Sequence, residues 1–284
     1  MPCLPPLPQL PFTKPSVKLN IPRFNGGVRH TDTYEFLFPG VTIAYKRRPN
    51  GTTYPTSSMR SALKNAAVEA RSIVRRANDQ LAKVIFLRSK ESQWFTDTMA
   101  RHFNLKSGDL GGGAFTLSDN VVDKKFSLKD IPKHDRRWVL EKIRERMLSL
   151  SFHLNTPYYL IDIDNPNRTV VTGQAGTIPA GTEGYVSKPD NGSLFCGFKN
   201  GEIHISFLDF LNYTEKSCAR VIIHEAAHKF LGVSDKGYAW DPAYPPSLED
   251  CMNNADSIAW TAISLASQSE KMDTGSSTDW QMCR

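Results

Sequence analysis

The sequence predicts an α+β fold in which a layer of helices packs beside a small sheet. Three observations carry that prediction. Stretches at 58–84, at 93–103 and from Asp130 onward repeat apolar residues every three or four positions, which is the helical period. Shorter stretches, of which Glu202-Ile-His-Ile-Ser-Phe207 is the clearest, alternate with the strand period. A further helix, centred on His224-Glu-Ala-Ala-His228, joins an apolar face to a face of imidazoles and a carboxylate.

The chain opens on Met-Pro-Cys-Leu-Pro-Pro-Leu-Pro-Gln-Leu-Pro-Phe, an extended and partly polyproline arm. Such an arm is a candidate dock for a protein partner. It lacks the basic start and unbroken apolar core of a secretory signal, so the expectation is a cytoplasmic protein or export by a signal-independent route. Between Pro22 and Pro55, the pieces Tyr34-Glu-Phe-Leu-Phe38 and Val41-Thr-Ile-Ala-Tyr45 lie among glycines and prolines and predict a β-rich lead-in. The main domain is expected over 56–268 and a mobile tail over 269–284.

Leu63, Ala66, Ala70, Ile73, Ala77 and Leu81 mark the inner face of the first long helix. Trp94, Phe95, Met99 and Phe103 form an aromatic stripe on the second, expected to serve the core. Ser107-Gly-Asp-Leu-Gly-Gly-Gly113 has no strand-to-helix context, which excludes a phosphate loop. Asp130 and Pro132 open a third helix lined by Val139, Ile143, Met147, Leu150 and Leu154. Tyr158-Tyr-Leu-Ile-Asp-Ile163 reads as a strand and 173–201 as turns and loops. In the Glu202 strand, Ile203, Ile205 and Phe207 face inward and His204 is expected outward, on the rim.

Thirty-five Lys and Arg stand against 29 Asp and Glu, a net charge of +6. The basic residues are scattered and accompany no recognition module, so no nucleic-acid partner is expected. No apolar run reaches the length of a membrane span. The five cysteines, Cys3, Cys196, Cys218, Cys251 and Cys283, show no C-x-x-C spacing and make no second metal site; one or two disulfides would form only in an oxidising compartment.

His224 and His228 are four residues apart, so on a helix they project from one face and can chelate one Zn²⁺; Glu225 can then reach a water at the metal. Thr214 and Glu215 suit the start of that helix and Gly232 its end. A chance H-E-x-x-H arises in roughly one chain in a hundred of this length, and because a catalytic zinc takes three protein ligands and keeps the fourth position for water, a third ligand must close the site. Ser234 stands where a ligand six residues past His228 would be needed. Asp235, just beyond Gly232, and Glu249, on the next predicted helix, both remain candidates.

Gly232-Val-Ser-Asp235-Lys-Gly-Tyr238 resembles the G-T-x-D-x-x-Y-G signature of the aspzincins, the deuterolysin and peptidyl-Lys metalloendopeptidase family. Asn254-Ala-Asp-Ser257 resembles that family's N-A-D-S element. The resemblance is strong over about 203–266 and weaker back to about 57. It implies a zincin-like fold, with a small antiparallel sheet whose open edge strand borders the cleft, and a zinc endopeptidase acting on polypeptides, with His224, His228 and Asp235 as zinc ligands, Glu225 as general base and Tyr238 at the oxyanion. It also implies that the Ile203–Ile205 strand binds substrate by strand addition. Asp256 would belong to an acidic pocket for a basic residue after the scissile bond, weakened because Ala259 occupies the position of the second carboxylate. Val233, Ala239 and a short link from His228 to Gly232 depart from the family pattern. A role as a secreted effector or toxin is an expectation by analogy. The alternatives are an inactive protease-fold binding module, or a thermolysin-like peptidase using Glu249.

Overall fold

The computed structural model describes residues 32–46, 53–87, 89–105, 114–117, 124–127, 136–163, 170–171, 175–176, 184–185, 201–244 and 246–267. The proline-rich arm, the glycine-rich 107–113 segment, Asp130, Pro132 and the 269–284 tail lie outside them. The architecture is α+β, as expected.

Strands β1 (Asp32–Phe38) and β2 (Val41–Lys46) form an antiparallel hairpin. Its turn uses Gly40 at φ +83°, a conformation that side chains resist. A Cβ there would also lie 2.9 Å from the guanidinium of Arg71. That guanidinium donates to the Leu154 carbonyl at 2.6 Å and to the Pro39 carbonyl at 3.1 Å, and it packs 4.8 Å over the Phe38 ring. One side chain thus ties the hairpin to the first and third helices.

Helix α1 (Ser57–Ile85) starts at Thr56, whose hydroxyl accepts the Met59 amide. Its inner face repeats alanine at 66, 67, 70 and 77, all fully buried. These short side chains let α1 pack closely on three helices at once: α3 (Arg136–Asn155), α4 (Glu215–Ala226) and α6 (Ala255–Ala266). Helix α2 (Gln93–Phe103), capped by Ser92, packs on α6 and on the short α5 (Leu248–Met252). The aromatic stripe serves the core, with Phe95, Met99 and Phe103 buried, while the Trp94 indole donates to the Ser264 carbonyl at 2.8 Å. Helix α6 is buried almost all round, with only Trp260 partly exposed, so it sits at the centre of the domain.

A sheet of five strands runs in the order β1-β2-β5-β9-β8, where β5 is Tyr158–Asp162, β8 is Gly184–Tyr185 and β9 is Gly201–Ile205. The expectation of an antiparallel sheet fails at its centre. Pairs β2–β5 and β5–β9 are parallel, and only β1–β2 and β8–β9 are antiparallel. A parallel pair needs a long crossover, and α1 to α3 supply one between β2 and β5. β1 and β2, expected as a lead-in ahead of residue 56, pair into this same sheet.

β9 is also not the open edge that the sequence suggested. It pairs with β5 on one side, while β8 covers Ile205 and His204 on the other. His204 is buried, not on the rim. The alternating pattern located the strand, but pattern alone does not reveal how many neighbours a strand has. Short hairpins β3 (Ala114–Leu117) with β4 (Lys124–Ser127), and β6 (Val170–Val171) with β7 (Ala175–Gly176), add strands that the apolar pattern did not mark. No helix among the described residues is long and apolar enough to cross a membrane.

Candidate metal centre

Helix α4 begins at Thr214, whose hydroxyl accepts the Ser217 amide, with Glu215 in its first turn. Cys218, Ala219, Ile222, Ile223 and Ala226 are buried against the core. At Ala227 the helix widens into a π-turn over Ala227–Leu231 and ends at Gly232, φ +70°. His228 therefore sits on the widened turn while His224 remains on the regular helix.

Beyond Gly232 the chain turns back. His228 Nδ1 lies 2.8 Å from the Val233 carbonyl oxygen, Ser234 forms a parallel bridge with Asn254, and Asp235 returns to the histidines. The Nε2 atoms of His224 and His228 are 3.1 Å apart, and each lies 3.2 Å from Asp235 Oδ1. Three ligand atoms thus form a nearly equilateral triangle. Tetrahedral coordination at the usual bond lengths of about 2.0–2.1 Å sets neighbouring ligand atoms at about 3.3 Å. Among the described residues these three side chains are the group able to hold a metal ion. Glu249, the other candidate third ligand, is outside the group: it lies on α5, where its backbone carbonyl accepts from Asn253.

The surrounding charge favours a cation. Burial opposes protonation of His224, but its contacts with Asp235 and Asp256 and the nearby Glu225 carboxylate outweigh this and raise its pKa to about 10. Burial likewise works against the Asp235 carboxylate, yet His224 and His228 hold it well below the usual carboxylate range. Burial pushes the Glu225 carboxyl upward. Among the described residues Glu225 Oε2 has no hydrogen-bond partner, although it is buried. An orphaned carboxylate oxygen beside a ready triad of ligands fits a centre that receives a metal ion with its water.

Tyr238 is half-buried. Its ring stacks on Trp240 at 4.8 Å and lies 6.2 Å from the His224 ring at a tilt of only 14°. Burial, then the Asp235 charge and a hydrogen bond to it, push the phenol upward and keep it protonated.

Asp256, expected to line an acidic pocket for the residue after the scissile bond, has no surface turned to a cleft. It is fully buried in the first turn of α6. Its Oδ1 lies 3.4 Å from Arg220 Nη1 and 3.5 Å from His224 Nδ1, and its Oδ2 accepts the Ala239 amide at 2.7 Å. Ile203 and Ile205 are fully buried too, so their side chains are core and do not face a cleft.

Two contributors had no role assigned from the sequence, although Asn254 opens the Asn254–Ser257 element. Asn254, also fully buried, accepts the Lys236 amide at 3.0 Å and donates to the Gly237 carbonyl at 2.7 Å and to Ser257 Oγ at 2.9 Å. It clamps the loop that carries Asp235 and Tyr238. Arg220, one helical turn before His224, stands over the Trp260 ring at 5.6 Å and faces Asp256. A charged residue within the apolar run of α4 was the available signal. Cys218 and Cys251 are buried free thiols, and Cys3, Cys196 and Cys283 lie outside the described residues.

No protein-family model matches this chain, and no curated protein matches it either.

Proposed function

We propose that this protein is a zinc-dependent endopeptidase of the aspzincin type, with His224, His228 and Asp235 as ligands, Glu225 as general base and Tyr238 as oxyanion donor. The observation that supports it most is the triangle of ligand atoms at 3.1–3.2 Å beside the orphaned Glu225 Oε2. The order of the H-E-x-x-H, G-V-S-D-x-x-Y and N-A-D-S elements, and their resemblance to the aspzincin signatures, support the same assignment.

Zinc bound by one carboxylate and two imidazoles supplies Lewis acidity towards a carbonyl and lowers the pKa of water to about 7. The protein's own groups do the rest. Glu225, buried and raised in pKa, takes the proton of the attacking water and returns it to the departing amine. The Tyr238 hydroxyl, kept protonated, donates to the oxygen that gains charge as the scissile carbonyl becomes tetrahedral. β8 contacts α4 and, among the described residues, ends the sheet on that side, which suits an extended peptide laid alongside it.

The test is direct. Purified protein, stripped by a chelator and reloaded with one equivalent of zinc, is assayed on a diverse peptide library. Cleavage that disappears with the metal and returns with it is expected. A zinc-loaded protein that leaves every peptide intact would overturn the assignment.

A further inference from the structure

We propose that Asp256 is a positioning residue of the metal centre, which orients the ligand His224 and the Tyr238 loop together, with Arg220 as its charge partner. This rests on the peptidase assignment above only in naming Tyr238 as a donor; the effect on metal binding stands apart from it.

The geometry assigns each carboxylate oxygen a task. Oδ1 faces the Nδ1 side of the His224 ring at 3.5 Å, opposite the Nε2 that points to Asp235 and His228. At that separation the contact is electrostatic, not a short hydrogen bond. It still favours the tautomer with the proton on Nδ1 and the lone pair of Nε2 free for a metal, the task that outer carboxylates serve at histidine–metal sites. Oδ2 accepts the Ala239 amide at 2.7 Å, and Ala239 is the residue after Tyr238. One side chain on α6 therefore touches both the helix-borne ligand and the loop that carries the tyrosine.

A fully buried carboxylate also needs compensation. Arg220 supplies it from α4, with Nη1 at 3.4 Å and its guanidinium packed over Trp260 of α6. The pair ties α4, which carries His224, to α6, which carries Asp256. A carboxylate placed to attract a substrate ammonium would keep an oxygen open to solvent, whereas both oxygens of Asp256 face protein groups and the residue has no exposed surface.

The experiment compares wild type with Asp256→Asn and with the double variant Asp256→Asn/Arg220→Gln, which removes both buried charges. Zinc affinity is measured by competition with a chromophoric chelator, and thermal melts are taken on the zinc-free proteins. Asp256→Asn is expected to lose roughly 10–100-fold in zinc affinity. The double variant is expected to melt closer to wild type and to keep that loss. A double variant that recovers affinity along with its melt would show that Asp256 only braces the fold, and would overturn the proposal; so would wild-type affinity in folded Asp256→Asn. Wild type that binds zinc but cleaves no peptide would sink the peptidase assignment, while an affinity loss in both variants would still support the positioning role.

Discussion

The Nδ1 atom of His228 lies 2.8 Å from the carbonyl oxygen of Val233, across the Gly232 turn. A carbonyl only accepts, so Nδ1 carries a proton and Nε2, beside His224 Nε2 and Asp235 Oδ1, is the nitrogen left to bind a metal. The same contact draws the chain after Gly232 back beneath the helix, which makes Asp235 a neighbour of the histidines despite the short link. The π-turn over Ala227–Leu231 gives the helix end the extra width that this return uses.

Glu225→Gln keeps the size of the side chain and removes its basicity. Zinc content should stay at wild-type level, because Glu225 is not one of the three ligands. Peptide hydrolysis should fall by roughly 10²–10⁴-fold, the usual contribution of a positioned base. Atomic absorption and a peptidase assay on the same sample check both halves; undiminished hydrolysis would remove Glu225 from the mechanism.

Asp235→Ala leaves two imidazoles and should weaken zinc binding severely, whereas Glu249→Ala should leave metal content unchanged. Competition titration of both variants decides this. The reverse dependence would transfer the third-ligand role to Glu249 and end the aspzincin assignment.

Tyr238→Phe removes one hydroxyl and preserves the stacking on Trp240. Loss of a single oxyanion donor costs roughly 10²–10³-fold in kcat. Zinc affinity and KM should change little. Steady-state kinetics that show kcat intact would mean that the hydroxyl takes no part in the reaction.

Substrate choice should not include strict selection of lysine or arginine after the scissile bond. Asp256, the carboxylate that such selection would use, is engaged by Arg220, His224 and the Ala239 amide. Mass-spectrometric profiling of cleaved libraries provides the measurement, and cuts confined to bonds before lysine would refute the statement.

His102 predicts an acid-sensitive fold. Burial, with a smaller contribution from Arg101, lowers its pKa from the usual 6.5 to about 3, while its ring nitrogens meet Tyr244 at 2.9 Å and Ser264 at 3.3 Å. Between these two values the unfolded chain binds a proton that the folded chain does not, so stability falls as pH falls, by up to about 1.4 kcal/mol per pH unit from this group. Above pH 6.5 its contribution is constant. Denaturant melts from pH 7 to pH 4 should show a shallower loss for His102→Gln than for wild type; an identical slope would assign the acid sensitivity to other groups.

The sequence alone determined what depends on local spacing. Helices α1 and α2 follow the apolar period to within a residue of their observed ends. Thr214 and Gly232 bound the helix that carries the two histidines because a hydroxyl satisfies free amides and a glycine accepts a left-handed turn. The i, i+4 spacing of His224 and His228 places their rings together for the same local reason. The tertiary structure decided everything that depends on which elements become neighbours. Strand period says that Glu202 to Ile205 is extended, but hydrogen bonding across the sheet is what gives β9 a partner on each side and buries His204. The resemblance of Asn254–Ser257 to the N-A-D-S element implied an acidic substrate pocket for Asp256. Packing of α6 against α4 instead places it between Arg220 and His224, because a buried carboxylate persists only where cations and amides surround it.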